Sequence, residues 1–573
     1  MIAETLKKAI GGTLKEMGIE NRAVELEHPA ELSHGDFSTN VALVYAKELK
    51  LKPRELAEKI VKKIQDSRFK IQEIEKIEIA GPGFINFHLS QEFFVDEIAK
   101  IDENIGKNKN LSGKKVMVEY TDPNPFKEFH IGHLMSNAVG ESIARLFEFQ
   151  GAEVRRACYQ GDVGLHVAKA VWGIFALEKT GDILNPNVSA SEQAAYLGKA
   201  YAKGAVAYEE SGEAKEQIIT INTKIYNRQD AEVNNIYDMG KQWSLYYFET
   251  LYAILGTKFN FYFFESETGE FGKHIVEGKI GEIFERSEGA VVFPESKSGL
   301  HTRVFINSQG LPTYEAKELG LAKIKANAYP YDVSVIITGN EVNDYFKVLI
   351  KAMEFVFPDL AKKTKHLSHG MMRLPTGKMS SRTGKVITGE VLILQVEELV
   401  HEKVKDREMS AEEKKELAQV VAVGAIKYSI LRQAIGGDII FDFEKSISFE
   451  GDSGPYLQYS YVRAKAVLKK AKEADIQPVV EVRPQQLGET TTLEKLLVRF
   501  PEVVERAGTE YEPHFVTTYL TELAGVFNSW YANGKIVDAN DPTSPYKLTL
   551  TKAFTEVMKN GLWLLGIKVP EKM

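Results

Sequence analysis

Apolar spacing along the chain changes character three times. Near residues 3–17 and 52–66 apolar side chains recur every three to four positions, which predicts helices. Gly81-Pro82-Gly83 is a turn signal, and the FINFHLS behind it alternates as a strand does. These predict a small α/β unit over residues 1–105, closed by the polar stretch GKNKNLSGKK. From Val116 the runs shorten and fill. VMVEY reads as a buried parallel strand. Helical spacing begins after His130, with Leu134, Met135, Ala138, Val139, Ile143, Leu146 and Phe147 on one face. VRRACYQ and DVSVIITG (332–339) read as further strands, and a helix follows near 342–356. Strand, helix and strand in turn predict a doubly wound parallel sheet over 106–400. An insertion over about 165–300 interrupts it. Beyond about 400 the spacing is helical to the end, which predicts a separate all-helical domain over 401–573.

Composition narrows the class. A chain of 573 residues is too long for one core. Its 44% hydrophobic and 27% charged content is that of an ordinary globular protein. No apolar run approaches about 18 residues, so no membrane span is expected. The N-terminal MIAETLKKAIGG lacks the apolar core of a signal peptide. The single cysteine, Cys158, excludes an internal disulfide and a cysteine-rich zinc site. The cytoplasm is the expected compartment, and no metal held by the protein itself is expected. A net charge of −8 leaves any nucleic-acid contact to local basic faces.

The chemistry concentrates at two motifs. His130-Ile131-Gly132-His133 follows the VMVEY strand and opens a helix, so it belongs at the carboxyl edge of the sheet. A helix mouth carries partial positive charge and unpaired N–H groups, where phosphates settle. Gly132 lets a base or ribose approach the backbone. His130 and His133 can donate to phosphate oxygens as charge develops, and Lys127 adds a cation. This set suits a nucleoside triphosphate attacked at its α-phosphate. About 250 residues later comes Lys378-Met379-Ser380-Ser381-Arg382-Thr383-Gly384-Lys385, bracketed by Gly377 and Gly384. Its cations and hydroxyls can wrap a triphosphate and neutralise departing pyrophosphate.

HIGH followed by KMSSR resembles the paired signatures of class I aminoacyl-tRNA synthetases. EYTDPNPFKEFHIGH (119–133) is similar to the arginyl-tRNA synthetase family's stretch before its histidine motif. ELSHGDFSTNVALVYAK (31–47) and IAGPGFINF (79–87) resemble its N-terminal additional domain. VGAIKYSILR (423–432), FEGDSGPYLQYSYVRA (449–464) and the tail LLGIKVPEKM resemble its C-terminal helical domain. The resemblance spans nearly the whole chain. It implies a class I Rossmann-like catalytic domain over 106–400, an N-terminal additional domain over 1–105 that meets the tRNA D-loop, and a helical anticodon-binding domain over 401–573.

It also implies an ATP-dependent ligase that forms arginyl-adenylate and passes arginine to tRNA(Arg), with Mg2+ accompanying ATP. A monomer is expected, as in most relatives. His130, His133, Lys127 and Lys378 are the implied catalytic groups. Gly132, Gly339, Met371, Ser380 and Ser381 join them around ATP. Ser381 replaces the usual second lysine of the loop, and Lys127 stands where the family compensates. Glu119, Asn124, Tyr314, Glu318 and Glu341 are the implied arginine contacts. A guanidinium is a permanently charged fork of donors, so carboxylates should hold it. Glu318 stands for a family Asp, Glu341 for a glutamine, and Asp122 for a small residue. For tRNA the resemblance implies Phe37, Tyr456, Tyr459, Arg463 and Tyr531. The tyrosines offer stacking planes, though helix-bundle packing is an equal use for them. Two rivals remain. Another nucleotidyl-transfer enzyme would be shorter and lack the helical domain. A tRNA-binding protein without catalysis would not need intact His130, His133, Lys127 and Lys378.

Overall fold

A computed structural model describes residues 2–19, 23–29, 31–66, 71–183, 185–374, 388–479 and 485–573. The chain forms two compact units. One comprises Met1–Ile105, Arg463–Pro501 and Glu522–Val557; the other comprises Gly106–Val462, Glu502–Thr521 and Met558–Met573. The C-terminal helices thus contribute to both.

In the first unit, strand Phe84–Leu89 pairs antiparallel with Phe37–Thr39 on one side and Ile74–Ala80 on the other. Helices Ile2–Glu16 and Pro53–Gln65 bury Leu6, Ile10, Leu56 and Ile60. Lys495, on helix Thr492–Glu510, reaches Asp36 at 2.9 Å.

The second unit is built on a five-stranded parallel sheet. Its strands are β1 (Lys115–Glu119), β2 (Glu153–Gln160), β3 (Phe261–Phe264), β4 (Val333–Gly339) and β5 (Thr364–His369), in the order β5-β4-β1-β2-β3. Val116, Met117 and Val118 are all buried, as strands covered on both faces require. The chain builds outward from β1 to β3, then crosses to the other side of β1 to lay down β4 and β5. The switch point therefore lies between β1 and β4, and ligands of such sheets bind beyond the carboxyl ends of those strands.

Four helices frame that edge: α1 (Ile131–Phe149), α2 (Glu265–Glu277), α3 (Tyr314–Ala328) and α4 (Asn343–Val356). The stretch expected to interrupt the sheet over 165–300 is shorter than that. It holds four helices between Leu165 and Leu255, and FYFF at 261–264 then returns as β3. Four aromatic residues between helices carry too little periodicity to be read as a strand from sequence.

The expected apolar face of α1 is buried, and so are Ser136, Asn137, Glu141 and Ser142 on its other faces. Each of these finds a partner, as burial of polar groups demands. Ser136 accepts from Thr121 N–H and donates to the Ile337 carbonyl, tying α1 to β4. Glu141 accepts from Tyr120 Oη at 2.5 Å, Arg145 Nε at 2.7 Å and Arg156 Nε at 3.0 Å. These cations carry the Glu141 carboxyl down to about 2 against the pull of burial.

Candidate active site

The loop from β1 into α1 is strained and heavily pinned. Thr121, Asp122 and Phe126 have φ of +80°, +47° and +67°. Such angles cost roughly 1–3 kcal/mol per L residue and persist only where surroundings enforce them. Here Asp122 Oδ1 accepts Tyr159 N–H at 2.7 Å, Asn124 Oδ1 accepts Gly161 N–H at 3.1 Å, and Phe126 N–H donates to Ser244 Oγ at 2.9 Å. The loop is thereby locked to β2 and to helix Ala231–Leu255, and it delivers His130 to the helix mouth.

The two histidine rings stack, with centroids 3.6 Å apart and an 18° tilt. His130 N–H donates to His133 Nδ1 at 3.1 Å. A backbone amide can only donate, so Nδ1 accepts and the neutral ring keeps its proton on Nε2. Burial, then His130, Lys127 and His369, push the His133 pKa well below the usual histidine range. Burial and Lys127 lower that of His130, with Glu341 opposing. Both rings are therefore neutral donors. The positive charge at the mouth comes from Lys127 and the helix itself. A Cβ on Gly132 would lie 3.0 Å from the His130 ring, so glycine keeps the pair stacked.

Lys127 is half-buried, 5.3 Å from the centre of the Tyr201 ring. Burial and nearby Lys169 lower its pKa. Lys378, Ser380, Ser381 and Arg382 lie outside the described residues, but their flanks are fixed. Met372–Arg373 pairs in parallel with Ile439–Ile440. Thr388 bridges antiparallel to His130, and Gly389 N–H donates to the Phe129 carbonyl at 2.6 Å. The first described residues after the second motif thus lie beside the first motif.

Four ionisable side chains gather beyond the end of β1. Glu119, 1% exposed, bonds Lys325 Nζ at 2.7 Å. Burial depresses the lysine, yet attraction to Glu119 leaves its pKa above the ordinary value. Glu318 and Asp122 complete the group. Burial, then the Glu119 charge, pushes both of their pKa values well up. Beside them Lys317 Nζ meets Glu265 Oε2 at 2.5 Å, and burial raises the Glu265 pKa. Glu265 opens α2 next to Gly161 and Asn124. Tyr314 opens α3, largely exposed, with Lys317 Nζ 5.3 Å from its ring centre. Asp162, fully buried, accepts from Tyr237, Lys241 and Ser266 and fixes the turn after β2.

Of the residues singled out from sequence, Glu119, Asn124, Tyr314 and Glu318 come to this acid-lined edge, and His130, Gly132, His133 and Lys127 to the helix mouth beside it. The other singled-out residues lie elsewhere. Glu341 stands on the exposed turn Asn340–Val342 that follows Gly339, and its charge acts on His130 and His369, away from the acid group. Met371 has both peptide groups engaged: its N–H donates to Asp438 and its carbonyl accepts from Ile439. Its side chain is exposed, and its carbonyl keeps a second lone pair. Phe37 is 4% exposed and packs on His28 in the strand core, so it cannot stack on RNA. Tyr456 and Tyr459 are half-buried, and Tyr459 meets Phe449 edge-on at 6.4 Å. Arg463 donates to Asn528 Oδ1 at 2.5 Å and lies 5.1 Å over the exposed-side ring of Tyr531.

Sequence reasoning missed Lys325, Glu265 and Lys317. Lys325 lies seven residues beyond Glu318, two helical turns along the same face, a spacing that could have flagged it. Glu265 would have been found had FYFF been taken as a strand, since it sits at that strand's carboxyl end.

Comparison with known proteins supplies the family. Residues 96–443 match the model of the class I (R) tRNA synthetase catalytic domain, 457–573 the DALR anticodon binding domain, and 2–89 the arginyl tRNA synthetase N terminal domain. An arginine–tRNA ligase of Fusobacterium nucleatum is 30% identical over 97% of this chain and 96% of its own. One of Clostridium perfringens is 29% identical over 100% and 99%. The solved arginyl-tRNA synthetase of Thermus thermophilus shares the fold with a TM-score of 0.81 at 24% identity, covering all of both chains.

Proposed function

We take as premise that this chain belongs to the arginyl-tRNA synthetase family, of class I, and propose how its own residues divide the work. The protein is an arginine–tRNA ligase that consumes ATP. In our reading, the guanidinium of arginine enters the acid group formed by Glu318, Asp122 and the open side of Glu119, with Tyr314 at the rim. Asn124 and Glu265 take the α-ammonium. The carboxylate is thereby turned toward the α1 mouth. ATP lies there with its adenosine against Gly132 and Gly339, and its phosphates reach His130, His133 and Lys127. One arginine carboxylate oxygen attacks the α-phosphorus, and the bond to the bridging oxygen of pyrophosphate breaks. The neutral N–H donors of the histidines and the cation of Lys127 stabilise the charge that spreads over the phosphate oxygens. Lys378, Ser380 and Ser381 assist the leaving pyrophosphate. The terminal ribose hydroxyl of tRNA(Arg) then attacks the arginyl carbonyl and releases AMP. Magnesium enters with ATP as part of that substrate.

For tRNA, Arg463 and Tyr531 form the pair best suited to a base, a cation and an open ring side by side. We assign the anticodon to the helical segment 457–573 on the strength of its matched model. A cytoplasmic monomer completes the proposal. No described helix is long and apolar enough to cross a membrane.

The observation that carries this reading is the meeting of an acid cluster with a histidine-capped helix mouth at one switch point. Arginine-dependent exchange of pyrophosphate into ATP, run with and without tRNA, tests it. His130→Ala should abolish exchange and leave tRNA binding near normal. Equal loss of both would count against the role given to His130.

A further inference from the structure

Glu119 faces the proposed arginine pocket with one oxygen already taken. Lys325 Nζ lies 2.7 Å from its Oε2, and both side chains are 2% exposed. Among the described residues, Lys325 is the one cation bonded to Glu119, and Glu119 the one acid bonded to Lys325. An alkylammonium is a compact point charge, whereas a guanidinium is a flat fork that needs two acceptors in line. The chain therefore carries, on its own helix, the kind of cation that arginine selection has to exclude.

We propose that Lys325 is a specificity-determining residue: its ammonium fills the single-point cation site on Glu119, so that the acceptors left in the pocket suit a forked guanidinium and turn away free lysine. This rests on reading the acid cluster as the arginine pocket. Three features of the structure bear on it. First, Lys325 and Glu318 share a face of α3, so one helix delivers both the resident cation and the acid left for substrate. Second, Asp122 has one oxygen occupied by Tyr159 N–H, which leaves few acceptors and makes their arrangement selective. Third, the space beside Glu318 and Lys325 is walled by Ile336, Phe346, Leu349 and Met353. Besides apolar surface, an evicted ammonium would meet there the Tyr331 and Thr364 hydroxyls and Glu318, the acid that the substrate needs, and a buried charge without a counter-ion of its own is strongly disfavoured. A free lysine would have to displace a tethered competitor that enjoys a high effective concentration. Arginine need not, because its fork can engage Glu318 and the second oxygen of Glu119. Discrimination by a built-in obstacle, in addition to good contacts, is a general route to specificity.

Lys325→Met keeps most of the length of the side chain and removes its charge, which opens the single-point site on Glu119. Pyrophosphate exchange is measured with arginine and with lysine, tRNA present throughout. Lysine-dependent exchange should rise at least tenfold relative to arginine-dependent exchange. Adding Glu119→Gln to Lys325→Met removes the site with its occupant and should abolish the gain in lysine-dependent exchange, read as its absolute rate because Glu119 also contacts arginine. An unchanged ratio in folded Lys325→Met, or a lysine gain that survives Glu119→Gln, overturns the proposal. Should Lys325→Met fail to fold, Lys325→Ala folded in the presence of n-propylammonium carries the test. Raising the amine should suppress lysine-dependent exchange over the range in which it occupies the site, and lysine use indifferent to the amine overturns the proposal. Absence of arginine-dependent exchange in the wild type would instead strike at the arginine reading itself, and this inference falls with it.

Discussion

Substituting Gly320 by alanine should open the proposed arginine pocket while leaving the proposed ATP side intact. Helices α2 and α3 cross where Gly272 and Gly320 face each other. A Cβ on Gly320 would stand inside contact distance of the Thr268 carbonyl oxygen, 2.8 Å from Gly272 N and 3.1 Å from Gly272 Cα. All three are backbone atoms, so no side chain can swing away. To reach an ordinary separation of about 3.5 Å from the carbonyl oxygen the helices must part by more than about 1 Å. Overpacking of this kind costs roughly 1–3 kcal/mol, and contact with backbone puts it at the upper end. Alanine recovers about 1 kcal/mol of helix propensity, leaving a net loss of about 2 kcal/mol. The displaced helix carries Tyr314, Lys317, Glu318 and Lys325, so the Lys317–Glu265 pair should lengthen and the acid group shift. Misplacement by about 1 Å can cost a hundredfold, so arginine KM in pyrophosphate exchange should rise at least tenfold. KM for ATP should stay within about twofold, since α1 is untouched. Gly525 is the control: it lies in helix His514–Ala532 with nothing within 4 Å of a Cβ, and Gly525→Ala should stabilise by up to about 1 kcal/mol. A Gly320→Ala protein as stable as the wild type, with unaltered arginine KM, would refute the reasoning.

Burial and charge set three further expectations. The histidines of the helix mouth are neutral, so kcat/KM for ATP should stay flat as pH falls from 8 through 6.5; an acid limb at or above the ordinary histidine pKa that disappears in His133→Asn would contradict this. Stability should nonetheless fall between pH 6.5 and about 4. Burial, then Lys127, depresses His166 to about 4, so below its unfolded pKa the unfolded chain takes a proton that the folded one refuses. The loss is on the order of 3 kcal/mol, and thermal melts at several pH values with His166→Gln as comparison should show it. Arg145 bonds Glu141 and donates to the carbonyls of Trp563 and Gly256 at two helix ends. Arg145→Met should cost about 3 kcal/mol in urea unfolding, and Arg145→Lys should recover only part, lacking the fork.

Much of the fold was legible because its signals are local. VMVEY, DVSVIITG and the helical spacing after His130 reappear as β1, β4 and α1, since a strand buried on both faces and a helix on a core leave periodic traces. The first motif was legible for the same reason: a glycine and two histidines at a helix mouth are neighbours in sequence. FYFF was lost as β3 because four apolar residues between helices have no period of their own.

What the sequence by itself determined is the chemistry of the helix mouth and the requirement for carboxylates around a cation. Only the tertiary structure decided how the candidate carboxylates are buried and paired. Burial and pairing depend on what packs across the sheet, and no spacing along the chain records that Lys325 lies on Glu119, that Glu265 reaches Lys317, or that Phe37 turns inward. Electrostatics in a dry pocket acts over contacts between distant segments, so charge roles are settled by the fold, whereas local geometry is written in order along the chain.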